Sequence, residues 1–143
     1  MSLVVLDASV AVKWFLPEKV ETLTREALAL MDGCRKKEIQ IIVPDLFWVE
    51  FASVLRKAIR RGNYSKDSAD AALATMKDLD FPTVSSLELL EKAFEIAMTF
   101  ERTVYDSIYV ALAVQTQSQL ITADEHLVNS LAARFPVKWL GAF

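Results

Sequence analysis

The sequence predicts an α/β protein in which a parallel β-sheet lies between helices, in a three-layer α/β/α arrangement. Short apolar runs alternate with longer segments of helical periodicity, and strands that are separated by helices usually pair in parallel. The composition, 53% hydrophobic and 24% charged, is typical of a globular chain. Three glycines and four prolines among 143 residues leave little room for linkers. We therefore expect one domain over residues 1–143.

Residues that end or cap helices and strands divide the first half of the chain into secondary-structure elements. The run "LVVL" is uniformly apolar, as in a strand buried on both faces, and Pro17 ends the short helix after it. Pro44 ends the run "IQIIV", Gly62 and Asn63 end a helix, and Ser65 can cap the next one. The predicted elements are a strand at 3–6, helices at 8–16 and 18–37, a strand at 39–43, and helices at 45–61 and 65–79.

The second half continues the alternation. The residues "TV" after Pro82 predict a brief strand, and "VYDSIYVALAVQTQ" is so apolar that it predicts a buried helix. The runs "QLIT" and "VKWL" predict two more strands. The predicted elements are a strand at 83–84, helices at 85–101 and 104–117, a strand at 119–122, a helix at 124–135 and a strand at 137–140.

Charge and cysteine usage exclude several classes of protein. The net charge of −3 provides no global basic field of the kind that duplex-binding proteins use. Cys34 is the only cysteine, so no internal disulfide can form, which is compatible with a reducing cytosol. Asp7 and Lys13 interrupt the apolar N-terminus and argue against a signal peptide. No apolar run reaches the roughly 20 residues that span a bilayer, and we expect a cytoplasmic protein.

Several common catalytic motifs are missing. The sequence contains neither GxGxxG nor GxxxxGK[ST], which cradle phosphates, and no GxSxG nucleophile elbow. One histidine, His126, and one cysteine cannot build a zinc cluster. We interpret His126 as an exposed or locally bonded residue of a first helical turn. If the protein is an enzyme, its reactive groups are carboxylates.

Two aspartates come directly after predicted strands. Asp7 follows the first strand and Asp124 follows "QLIT". Both therefore belong to the carboxyl edge of the parallel sheet, where ligands bind. Each could instead be an ordinary helix N-cap. Asp45 follows a strand too, and we interpret it as a cap of the helix that it opens.

Two further acids lie in apolar helices. Glu50 is in the middle of "DLFWVEFASVL" and has no Lys or Arg three or four residues away. Asp106 opens the apolar helix of "TVYDSIYVALAV", where the helix dipole favours an acid and Arg102 could pair with it. For each acid a structural role is the alternative to a functional one.

Together the four acids predict a cation site. Like charges gathered at one sheet edge repel each other and raise one another's pKa values, and a bound divalent cation would remove that penalty. Carboxylate oxygens suit Mg²⁺ or Mn²⁺. In this hypothesis Asp7 and Asp106 bind the metal directly, and Glu50 and Asp124 bind it directly or through water.

The segments that carry these acids resemble one known family. "VVLDASVAVKWFLPE", "VPDLFWVEFASVL", "TVYDSIYVALA" and "LITADEHL" occur in an order and spacing similar to those of PIN domains, in particular the VapC-type toxins of type II toxin–antitoxin pairs. The resemblance covers essentially the whole chain. It implies a metal-dependent ribonuclease in which Asp7, Glu50, Asp106 and Asp124 occupy the acidic positions.

The resemblance also implies supporting residues and partners. Ser9 and Thr122 match the small hydroxyl positions beside the site, where they would orient ligands or water. The family commonly forms homodimers or higher homo-oligomers, and its usual partner is a VapB-type antitoxin. RNA would need positive charge outside the pocket. Candidates are Lys13 and the basic residues of "RKAIRR", chiefly Arg56 and Arg60, although these could simply be a solvated helix end. Four aromatic residues could stack bases, although core or dimer packing is the more common role of such residues: Trp14, Trp48, Tyr105 and Tyr109.

The sequence disfavours two alternative functions and leaves a third one open. Phosphoryl transfer through an aspartyl nucleophile, as in haloacid-dehalogenase-like enzymes, requires a second Asp two residues after the first, where this chain has Ser9. A receiver-like domain requires an acidic pair that this chain lacks. A non-catalytic metal- or peptide-binding module with the same fold is the alternative outside enzymes.

Overall fold

The computed structural model of the chain describes residues 1–143, and its centre is one five-stranded parallel sheet. The strand order is β3-β2-β1-β4-β5, with every pair parallel. The first strand is therefore central, and its neighbours come from distant parts of the chain. The strands are β1 (Ser2–Leu6), β2 (Ile39–Pro44), β3 (Thr83–Val84), β4 (Gln119–Thr122) and β5 (Val137–Trp139).

Helices join successive strands and cover the sheet, which confirms the predicted α/β/α class. Two short 3-10 helices occupy Val12–Trp14 and Leu140–Ala142. None of the helices combines the length and the apolar character that a bilayer crossing requires. The α-helices are α1 (Ala8–Ala11), α2 (Thr24–Arg35), α3 (Leu46–Arg60), α4 (Lys66–Leu79), α5 (Ser86–Phe100), α6 (Val104–Gln115) and α7 (Glu125–Leu131).

The core explains the two most apolar segments of the sequence. Val4, Val5 and Leu6 of β1 are all buried because strands and helices surround this strand. Residues 107–113 of α6 are also all buried. One cluster of 35 buried residues forms the core. One sheet and one core accord with a single domain over 1–143, which stays a prediction.

The prediction for the second helix was wrong at its start. α2 begins at Thr24 rather than at residue 18, and Leu23 before it has a left-handed backbone with φ of 57°. The cause is the side chain of Lys13, which lies earlier in the chain. The ammonium group of Lys13 donates to the Thr22 carbonyl at 2.7 Å and to the Glu21 carboxylate at 3.1 Å. These bonds hold the segment after Pro17 as a loop.

Candidate active site

Asp7 lies at the carboxyl edge of the sheet, immediately after β1. Leu6 pairs with Ile121, so the residues that follow β1 and β4 are neighbours. The Thr122 hydroxyl donates to Asp7 Oδ2 at 2.7 Å, and the Ser9 amide donates to Asp7 Oδ1 at 3.3 Å. Asp7 Oδ1 thus caps α1, which is the structural role that we gave as the alternative. Asp7 Oδ2 is oriented by Thr122, which is 115 positions away in the sequence.

The surroundings of Asp7 disfavour its negative charge. Loss of solvent around the carboxyl raises the pKa of Asp7 above its usual value. The hydrogen bonds from Thr122 and Ser9 act in the opposite direction, and the charge of Asp106 adds to the rise. No basic side chain forms an ion pair with Asp7.

Glu50 faces the same place from α3. Its Oε2 accepts a hydrogen bond of 2.9 Å from the hydroxyl of Tyr109 on α6. Loss of solvent raises the pKa of Glu50 to about 7; the bond from Tyr109 opposes the rise, and the charges of Asp7 and Asp106 add to it. Burial also raises the pKa of Tyr109 far above its usual range, so its phenol is protonated and donates. Glu50 has no cationic partner, as its neighbours in the sequence predicted.

Asp106 lies in the first turn of α6 and has both an electrostatic and a structural partner. Its amide donates to the Thr103 hydroxyl at 3.0 Å, which caps the helix. Arg102 donates to Asp106 Oδ2 at 3.2 Å and to the Ser130 hydroxyl at 3.4 Å, while its Nε is buried without a partner. Arg102 is therefore the only cation that forms an ion pair with any of the four acids.

Asp124 is next to the site but its carboxylate is turned into α7. Its Oδ1 accepts from the amides of His126 and Leu127 at 2.9 and 3.2 Å, the N-cap role that we gave as the alternative. The two predicted hydroxyl residues join its segment to the site. Thr122 accepts from the Asp124 amide at 3.1 Å, and Ser9 accepts from the Ala123 amide at 3.2 Å.

Three of the four acids thus form one charged cluster, to which Asp124 does not belong. Asp7, Glu50 and Asp106 are close enough to act on one another's charge, whereas Asp124 does not add to these charge effects and uses its Oδ1 to cap α7. No group of three or more His, Cys, Asp or Glu side chains is placed so that it could hold a metal ion in this arrangement. Carboxylate oxygens are the ligands that a hard cation such as Mg²⁺ prefers, so the three acids fit such an ion chemically. Asp7 and Glu50 also have no basic side chain to offset their charge. Holding the ion requires their carboxylates to turn toward a common point.

Three basic residues were predicted to contact RNA, and the structure changes the role of one of them. Lys13 is only 8% exposed and is bonded to Glu21 and Thr22, so the structure gives it the role of holding a loop rather than contacting RNA. Arg56 and Arg60 are exposed on the last turns of α3.

The prediction for Asp45 was wrong. Its backbone is already helical, with φ of −57° and ψ of −30°, so its side chain does not fold back onto α3. Asp45 Oδ2 instead accepts from the amide and hydroxyl of Ser86 at 3.0 and 3.3 Å, at the beginning of α5.

Of the four aromatic candidates, only Tyr105 is exposed. Trp14 donates to the Ala27 carbonyl and Trp48 to the Thr83 hydroxyl, so both are fixed by the fold. Tyr109 is 2% exposed and belongs to the acidic cluster. Sequence reasoning missed that role, although Tyr109 lies three residues after Asp106 and so shares its helix face.

Comparison with known proteins identifies the family. The sequence model of the PIN domain matches residues 4–130, which include all four acids. The chain belongs to the PIN-domain family. It is 31% identical over 134 residues to Ribonuclease VapC3 of Pyrobaculum aerophilum, covering 92% of this chain and 94% of that protein.

Two solved structures share the fold of this chain. PAE2754 of Pyrobaculum aerophilum superposes with a TM-score of 0.72 at 17% identity, over 99% of this chain and 85% of that one. VapBC2 of Rickettsia felis, solved bound to a DNA fragment from its promoter, superposes with a TM-score of 0.65 at 12% identity, over 96% and 98% of the two chains. These likenesses place the three-layer PIN fold in this chain.

Proposed function

We propose that the chain is a Mg²⁺- or Mn²⁺-dependent endoribonuclease and the toxin of a VapBC-type toxin–antitoxin pair. The observation that supports this most is the meeting of Asp7, Glu50 and Asp106 at the carboxyl edge of the sheet, in a chain similar to Ribonuclease VapC3. Three mutually repelling carboxylates are unfavourable in a protein unless positive charge offsets them.

The metal would be held by Asp7 and Asp106, with Glu50 and Asp124 as ligands directly or through water. When bound, a divalent cation would acidify a water for attack on phosphorus and offset the charge of the phosphate oxygens. The residues of the chain orient this set. Thr122 and Ser9 fix the carboxylate of Asp7.

The single-oxygen contacts of the other acids leave room for a ligand. Arg102 engages only Oδ2 of Asp106, and Tyr109 engages only Oε2 of Glu50. The second oxygen of each carboxylate has no partner within the chain and would be the one presented to the cation.

RNA would also contact the end of α3. Arg56 and Arg60 are exposed there, and Lys57 and Arg61 extend the basic surface. Arg60 is ten residues after Glu50, or roughly 15 Å along the helix, which is a distance of two or three nucleotides in an extended strand. These residues would bind phosphates without reading bases.

We further propose two protein partners in the cytoplasm. A VapB-type antitoxin is supported by the fold shared with VapBC2. A second copy of the chain is supported by an apolar stripe on α5, which includes Leu87, Phe94 and Met98 at 78%, 58% and 68% exposure. α5 also lines, through Ser86 and Leu90, a groove of about 760 Å³ between α3, α5 and α6. Such apolar faces are typical of homodimer interfaces.

Cleavage of RNA by the purified chain tests the proposed function. Chain freed of any antitoxin is incubated with single-stranded and with structured RNA, with Mn²⁺, with Mg²⁺ and with chelator. We expect metal-dependent cleavage that Asp7→Asn lowers roughly 100-fold or more, because losing even a residue that only orients a metal ligand typically costs 10- to 100-fold. Asp45→Asn is the matched control, because Asp45 also follows a strand but contacts α5, and it should cleave like the wild type.

A non-catalytic binding module is the second candidate. It is favoured by the absence of any three acids in a metal-holding arrangement and by the pairing of Asp106 with Arg102. Under this alternative, purified chain would bind a partner peptide, with metal bound only incidentally, and would leave RNA intact under all of these conditions. Cleavage that survives Asp7→Asn would also count against the nuclease, since it would point to a contaminant.

A further inference from the structure

Tyr109 places a buried hydroxyl at the centre of the acidic cluster. The residue is 2% exposed, in the middle of α6 where every residue from 107 to 113 is buried. A buried phenol needs a hydrogen-bond partner, and the only side chain that Tyr109 contacts in this way is Glu50, at 2.9 Å. The Asp7 carboxylate and the Ala8 amide are also near enough to act on the phenol.

The helix geometry explains why this hydroxyl reaches the site. Asp106 and Tyr109 are three residues apart and therefore lie on one face of α6. A single helix thus delivers one carboxylate and one donor to the same place. α3 supplies Glu50, which is 59 residues away from Tyr109 in sequence.

We propose that Tyr109 is a positioning residue, which holds one oxygen of Glu50 so that the other oxygen faces the metal and substrate. This inference rests on the proposed function. Glu50 has no other hydrogen bond and no cationic partner, so without Tyr109 nothing in the chain would fix its carboxylate. Partners that orient metal ligands typically change metal affinity 10- to 100-fold.

Calorimetric titration of the metal-free chain with Mn²⁺ tests this role without relying on activity. Tyr109→Phe keeps the ring and removes only the hydroxyl. We expect its affinity for Mn²⁺ to fall about tenfold or more. Tyr105→Phe, which removes the hydroxyl of a ring that is 66% exposed on the same helix, should bind like the wild type.

A double-mutant cycle separates positioning from a purely structural bond between α3 and α6. If Tyr109 acts through Glu50, Tyr109→Phe should cause little further loss of Mn²⁺ affinity once Glu50→Gln is present. A structural bond alone would lower the melting temperature of Tyr109→Phe and leave its Mn²⁺ affinity unchanged, which would overturn the inference. Equal, independent losses in both backgrounds would overturn it as well.

The same titration distinguishes failure of this inference from failure of the proposed function. If the wild type binds Mn²⁺ and Tyr109→Phe binds equally well, only the positioning role is wrong. If the wild type shows no saturable binding, both the metal-dependent function and the role of Tyr109 are overturned.

Discussion

Glu50 is the residue whose environment departs furthest from that of an ordinary surface acid. It lies within an apolar stretch of α3, and its raised pKa of about 7 follows from loss of solvent and from the nearby charges of Asp7 and Asp106. An acid whose pKa is higher in the folded than in the unfolded protein binds its proton more tightly when folded. Without metal, stability is therefore lost as pH rises from about 4.5 to about 7.

Glu50→Gln should relieve this loss. The amide stays neutral and can still accept the bond from Tyr109. We expect the metal-free variant to match the wild type near pH 4.5 and to be more stable above pH 7, by about 1 kcal/mol after allowance for the partial exposure of Glu50. For a chain of this length that is roughly 3 °C in melting temperature.

Thermal unfolding in chelator from pH 4.5 to 8.5 measures the difference. Glu91→Gln, at an exposed position of α5, serves as the control and should show no pH-dependent gain. A Gln variant that is less stable than the wild type at high pH would show that the Glu50 charge is favourable in the fold.

Comparison of two aspartates shows what local sequence could and could not predict. Asp7 and Asp45 both follow a strand and precede a helix, and both were candidates for caps. Asp7 has an extended backbone, with φ of −78° and ψ of 142°, and caps α1, whereas Asp45 is already helical and bonds to Ser86. The partner of Asp45 is 41 residues away, so no local pattern could have revealed it.

At the scale of elements, the first turn of α6 sets the position of Asp106. Thr103 caps this helix by accepting from the Asp106 amide at 3.0 Å. Replacing a threonine cap by alanine typically costs about 1 kcal/mol. Thr103→Ala should therefore lower the melting temperature by roughly 3 °C.

Differential scanning calorimetry of Thr103→Ala and Thr99→Ala makes this comparison. Thr99 is exposed within α5 and caps nothing, so its replacement should not destabilise the chain. Equal melting temperatures for the two variants would mean that the hydroxyl of Thr103 does not stabilise α6.

The elements themselves were largely predictable because most are built from local patterns. All five strands and the helices α3 to α6 lie within about two residues of the predicted ranges. Three helices were exceptions: α1 gives way to a 3-10 helix after Ala11, α2 begins late and α7 ends early. The periodicity before Thr24 was real, but Lys13 binds the chain there from another element, and a periodic pattern contains no information about such a contact.

At the scale of the whole molecule, parallel topology is what gathers the site. Alternating strands and helices were sufficient to predict that Asp7 and the end of β4 share an edge, as the contact between Asp7 and Thr122 shows. The bond between Glu50 and Tyr109 was not predictable, because it joins two helices whose residues are 59 positions apart in the sequence. The sequence thus identified the acids together with Ser9 and Thr122, and the structure added Tyr109 as the partner of Glu50.

The apolar stripe on α5 belongs to this scale too, since it predicts an assembly. Phe94→Asp puts a charge in the stripe and should convert a dimer, of twice the 16.1 kDa of one chain, into a monomer. Lys92→Gln changes net charge by the same amount at an exposed position on the opposite side of α5 and should leave the dimer intact. Light scattering after gel filtration gives both masses, and a monomeric wild type would contradict the prediction.

We propose that Asp7, Glu50 and Asp106 together form a divalent-cation site, and Mn²⁺ binding followed by electron paramagnetic resonance tests this site most directly. Metal-free wild-type chain should take up Mn²⁺ saturably, Asp45→Asn should do the same, and Asp7→Asn should bind roughly tenfold more weakly or worse. Equal binding by the wild type and Asp7→Asn, or no saturable binding by the wild type, would contradict the claim.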